Sequence, residues 1–123
     1  MTDAVREKLI EYVRARMPQP ERLAMLAEEA AELGHAALKL RRALDGTNPT
    51  PITVEDAQRK LVEEMADVLQ TLGMLTLDIA RLPVEGLENM PWALREIQDP
   101  KLRRWADRLR EKEEQSSEDP EDA

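Results

Sequence analysis

"RLAMLAEEAAELGHAALKLRRAL", residues 22–44, reads as one long helix. Leu23, Leu26, Ala30, Leu33, Ala37, Leu40 and Leu44 recur at alternating three- and four-residue intervals, the spacing of a single packing face. The run holds no proline and no β-branched residue, and its many alanines and leucines favour the helix. A second stretch, "LVEEMADVLQTLGMLTLDI" at 61–79, repeats the pattern with Leu61, Met65, Val68, Leu72 and Ile79. Two such helices cannot bury their faces alone. They predict an all-α fold, a helical bundle of four to five helices.

The flanking sequence supplies the remaining elements. Residues 3–16 read as a first helix with Thr2 or Asp3 as N-cap and Val5, Leu9, Tyr12 and Val13 on one side. "MPQPE" breaks it, and Pro20 suits the first turn of the next helix. That helix stops at "DGTNPTP" (45–51). Thr53 caps a third helix running to about Arg81, with Glu55 and Asp56 in its first turn. Residues 83–99 give the weakest signal, a loop with a short helix around "WALREI". Asp99 and Pro100 read as the start of a last helix, "PKLRRWADRLREKEE". From Gln115 onward "QSSEDPEDA" has no large apolar residue and reads as a disordered acidic tail, leaving 1–114 as a single helical domain.

Composition narrows the function. With 36% charged residues and a net charge of −8, the 123-residue chain lacks the basic face a general nucleic-acid binder needs. A nucleotide substrate stays open, because a divalent metal can bridge carboxylates to phosphates. The absence of cysteine removes a disulfide scaffold and a thiol nucleophile. No apolar run approaches membrane-spanning length and the N-terminus does not resemble a signal peptide, so a soluble, cytoplasmic protein is expected.

Both long helices carry acids beside their apolar face. Taking about 100° per residue, Glu29 lies roughly 60° and Glu32 roughly 120° from the middle of the first seam, and Glu28 points away. On the other helix Glu64 lies about 80° and Asp67 about 140° from the seam, on one side, with Glu63 facing outward. Each helix thus offers an i, i+3 acid pair, and such a pair can hold a hard cation. The plain alternative is a solvated charged face. Two pairs on consecutive helices are harder to dismiss, since four clustered carboxylates repel unless metal or protons compensate them.

"EEAAE" (28–32) followed by "EMAD" (64–67) resembles the E-E-x-x-E and E-x-x-D blocks of the all-α nucleoside triphosphate pyrophosphohydrolases. "VEEMADVL" (62–69) is similar to the acidic block of their MazG-like branch. The resemblance spans roughly residues 20–110. It implies a MazG-like bundle completed by oligomerisation, as a homodimer or homotetramer. It also implies hydrolysis of a (d)NTP to the monophosphate and pyrophosphate in nucleotide metabolism, with Mg2+ as cofactor and Mn2+ able to substitute. Glu29, Glu32, Glu64 and Asp67 would then be the metal ligands and catalytic carboxylates. Magnesium suits such a set because it prefers octahedral oxygen donors. The chain departs from two-domain members in having one copy of each block, and 83–99 does not align.

Lesser candidates surround these acids. Lys39 and Lys60 could each reach a phosphate, or simply pair with the neighbouring glutamates. Lys101, Arg104 and Arg108 form a basic stripe resembling the K-x-x-R element that follows the acidic blocks in the family, and are candidates for triphosphate contact; a solvated face is the alternative. His35 lies on the outer side of its helix, so a surface role is favoured over ligation. Trp92 or Trp105 could stack on a base, with core filling the simpler reading. Asn48 could read a base edge. Two rival functions stay open: a phosphoribosyl-ATP pyrophosphohydrolase-like enzyme sharing the helical fold, and a non-catalytic helical interaction module.

Overall fold

The computed structural model describes residues 1–46, 52–80, 85 and 89–118, without the side chains of 77–80, 90, 91 and 118. Among these residues the regular structure is entirely helical, in four helices and no strand: α1 (Asp3–Arg16), α2 (Gln19–Asp45), α3 (Val54–Ala80) and α4 (Met90–Glu118). None is long and apolar enough to cross a membrane.

The ends follow local chemistry. Thr2 Oγ1 accepts the Val5 N–H at 3.3 Å and caps α1. Pro18 and Pro20 bracket the start of α2, where a missing N–H is harmless. Gly46 closes α2 at φ 67°, a left-handed geometry that favours glycine, and its N–H donates to the Arg42 carbonyl at 2.9 Å. Thr53 Oγ1 accepts the Asp56 N–H at 3.1 Å to start α3. Asn89 starts α4, its side-chain oxygen accepting the Trp92 N–H at 3.4 Å and its carbonyl the Ala93 N–H at 2.9 Å.

The chain divides into two compact units, Met1–Ile79 and Ala80–Ala123. In the first, the inward lines of α2 and α3 differ from those expected. Along α2 Arg22, Leu26, Glu29, Leu33, Ala36, Leu40 and Ala43 form a line of buried and half-buried positions, with Arg42 beside it; along α3 the line is Val54, Ala57, Leu61, Glu64, Val68, Thr71 and Leu75, with Met74 and Thr76 beside it. Both lines keep the three-four alternation and retain Leu26, Leu33, Leu40, Leu61 and Val68, but at the alternate positions the inward residue is the one preceding that expected. Leu23, Leu44, Met65 and Leu72, expected inside, are exposed, as are Ala30 and Ala37. Their inward places are taken by Arg22, Glu29, Ala36, Glu64 and Thr71, so polar groups and small side chains hold positions that an apolar pattern would fill with leucine. The core of this unit is correspondingly small: Ala36, Ala57, Met74 and Leu75 are its buried apolar residues.

Arg22 joins α1 to α2. Its guanidinium donates to the Arg14 carbonyl at 3.0 Å and also to the Met17 carbonyl, covering the C-terminal end of α1. A cation at that end meets the negative pole of the helix.

In the second unit α4 is one continuous helix through Pro100. The expected break at Asp99 is therefore absent, and "WALREI" belongs to the same helix as "KLRRWADRL". An Asp-Pro step is equally the mark of a helix start, but Leu94, Trp105 and Leu109 stay on one side across it at the helical period. Helix α4 also extends through Gln115–Glu118, into the stretch expected as tail, while 119–123 lie outside the described residues. Trp92 and Trp105 are exposed on α4, so neither fills a core.

Candidate metal centre

The shift of alternate seam positions by one residue decides the site. It moves Glu29 and Glu64 from the flanks of their helices onto the faces where α2 and α3 pack. Glu29 is half-buried and Glu64 only 4% exposed. Asp67, one turn beyond Glu64, stays exposed at the edge. Glu29, Glu64 and Asp67 each present a carboxylate oxygen, and these oxygens all lie within 4.8 Å of one another. Glu32, one turn beyond Glu29, is exposed and adds its charge to the group. Glu28 and Glu63 are exposed, as their outward phase required.

Burial and charge act on these acids in opposite ways. Burial, reinforced by the charges of Glu32, Asp67, Glu64 and Glu28, pushes the Glu29 carboxyl above its ordinary value. Glu64 is held below its ordinary value although it is the more buried. The main cause is the Lys60 ammonium, whose Nζ lies 2.9 Å from Glu64 Oε1 and outweighs desolvation, with a smaller lowering from hydrogen bonding with the Glu32 carboxyl. Lys60 also reaches Glu63 Oε2 at 3.2 Å. The ammonium is held well above its own usual range by the same two partners.

Among the described residues Glu29 Oε2 and Glu64 Oε2, both buried, find no hydrogen-bond partner. A buried carboxylate oxygen left unpaired is costly. A hard divalent cation among these oxygens would satisfy both at once, and the all-oxygen donor set suits magnesium or manganese. These residues therefore fit a metal ion chemically.

A cleft of about 240 Å³ adjoins the acids, with Glu29 and Asp67 in its wall. Val13 of α1, Met25 of α2 and Met74 of α3 make it apolar, and Gln70 brings one amide. Thr71 lines it too, but the hydroxyl donates back to the Asp67 carbonyl at 2.9 Å. Sequence reasoning passed over Arg22, Gln70 and Thr71. For the last two a signal was available, since they follow Asp67 by three and four residues and so share its face.

The other candidates are more scattered. Lys60 takes the pairing alternative. Lys39 and His35 are exposed on α2. Lys101, Arg104 and Arg108 are exposed on α4 in the second unit. Asn48 lies outside the described residues. Compared with known proteins, the chain matches no protein-family model, no curated protein and no solved structure.

Proposed function

We propose that the chain is a magnesium-dependent nucleoside triphosphate pyrophosphohydrolase of the MazG-like kind, converting a (d)NTP and water to the (d)NMP and pyrophosphate. The observation that carries this reading is the convergence of Glu29, Glu64 and Asp67 from two helices, with two buried oxygens that find no hydrogen-bond partner among the described residues. An ordinary solvated face would leave such oxygens to water. Glu29, Glu64 and Asp67 would hold the metal, with Glu32 beside them. A bound ion would supply activation of water and compensation of the charge that develops on pyrophosphate.

The chain's own contribution is placement. Glu29 and Asp67 belong both to the acidic group and to the wall of the cleft. A nucleotide with its phosphates at the acids can therefore lay its nucleoside against Val13, Met25 and Met74, within reach of the Gln70 amide. An apolar pocket with a few convergent polar groups is the usual form of a small-molecule site.

The test is a panel of canonical and modified (d)NTPs with magnesium, scored separately for pyrophosphate and orthophosphate. Pyrophosphate from at least one ordinary nucleotide is expected. Orthophosphate alone would replace the reading with γ-phosphate hydrolysis. Turnover confined to an N1-ribosylated ATP would favour the phosphoribosyl-ATP enzyme. No turnover, and no response to magnesium in stability, would leave a helical interaction module.

A further inference from the structure

Lys60 is the one cation seen to bond a member of the acidic cluster among the ion pairs described. The bond is asymmetric. Nζ engages Glu64 Oε1 at 2.9 Å, while Oε2 of the same carboxylate is buried with no hydrogen-bond partner among the described residues. The Glu64 side chain is 6% exposed and that of Lys60 54%, so the ammonium approaches from solvent and covers one oxygen of a buried group. Helix support does not account for this pair. Lysine preceding glutamate by four is the poorer order along a helix, and Glu63 offers Lys60 an exposed partner at 3.2 Å.

Resting on the metal reading above, we infer that Lys60 is a positioning residue that makes Glu64 a one-oxygen ligand and thereby selects magnesium over calcium. With Oε1 tied to the ammonium, Glu64 has a single oxygen, Oε2, to give. Magnesium needs no more, because it takes single oxygens at octahedral corners and keeps several waters. Calcium is larger, accepts six to eight oxygens and commonly takes both oxygens of one carboxylate. Covering Oε1 therefore withholds from calcium a donor that magnesium does not use. Calcium is a natural competitor at any cluster of hard carboxylates, so a device against it has a use.

The experiment is calorimetric titration of the full chain with MgCl2 and with CaCl2, on wild type, Lys60→Met and Lys60→Arg, with helicity checked by circular dichroism. Removing a positive charge, and with it every donor to Oε1, should tighten both ions in Lys60→Met. The expected result is that calcium gains several-fold more than magnesium, while Lys60→Arg, which can still cover Oε1, keeps the wild-type ratio. Equal gains for the two ions would show that Lys60 acts only as a charge and would overturn the inference while leaving the metal site standing. Failure of the wild type to bind either ion would overturn the metal reading and this inference with it.

Discussion

Glu64 and Glu63 are neighbours in sequence and opposites in environment. Glu64 is buried, tied to Lys60 and aimed at Glu29 and Asp67; Glu63 is exposed and meets the same lysine from outside. If the cluster holds the metal, Glu29→Ala, Glu64→Ala and Asp67→Ala should each lower kcat/KM by orders of magnitude, because each removes a ligand the transition state needs. Glu32→Ala should follow them, and Glu63→Ala should lose far less. Steady-state kinetics on the five variants decide this, and equal losses at Glu63 and Glu64 would sink the ligand assignment. A second expectation concerns the metal-free protein. Glu29 carries the accumulated repulsion of its neighbours together with its own burial. Glu29→Gln should raise the Tm without metal, and should shrink the further rise that magnesium gives the wild type by mass action. A lower Tm for the variant without metal would mean that Glu29 is stabilised by something other than a cation.

At the level of elements, most of the architecture was legible because it rests on local rules. The cap at Thr2, the proline pair at the start of α2, the glycine stop at Gly46 and the cap at Thr53 are each set by a few adjacent residues. The phase of α2 and α3 was not legible, for a reason that bears on the site. Reading phase from apolar residues assumes that apolar means inside, which holds only in one direction. Helix α3 carries apolar residues on two adjoining faces, Leu61, Val68 and Leu75 on one and Val62, Met65, Leu69 and Leu72 on the other, and the pattern alone favours a compromise between them. The structure instead turns Glu64 and Thr71 inward, and Glu29 on α2. Polar groups in seam positions are where local pattern and function conflict. Pro100 failed differently, since its missing N–H is allowed at a helix start yet is accommodated within α4. Arg22 shows the same lesson between elements. A charged residue in a seam position is explained once its guanidinium is seen on the Arg14 and Met17 carbonyls at the end of α1. Arg22→Met keeps the stem and removes the donors, so it should destabilise the protein by about 2 kcal/mol, the range for hydrogen bonds from a charged group. Urea denaturation measures this, and an unchanged midpoint would show that the Arg22 bonds to α1 add nothing to stability.

For the whole molecule the apolar residues left outside demand a partner. Val62, Met65, Leu69 and Leu72 stand in one stripe along α3, all exposed, and Leu69 is 64% exposed. Leu9 and Tyr12 on α1, and Leu23 and Leu44 on α2, are exposed as well. A fully buried leucine gains about 1.5–3 kcal/mol over an exposed one, so four such residues on one helix face can drive association. The first unit has few buried apolar residues of its own with which to satisfy them. A homodimer or homotetramer is therefore expected, with the α3 stripe in the contact. Light scattering should give a multiple of the 14.1 kDa chain mass at micromolar concentration. Leu69→Glu, which places a charge in the middle of the stripe, should shift the protein toward monomer. Glu29, Glu64 and Asp67 all come from α2 and α3 of one chain, so the monomeric variant should still bind magnesium or manganese in a titration. A wild-type chain that scatters as a monomer would remove the assembly. A Leu69→Glu monomer that has lost metal binding while keeping its helicity would show instead that the second copy completes the site.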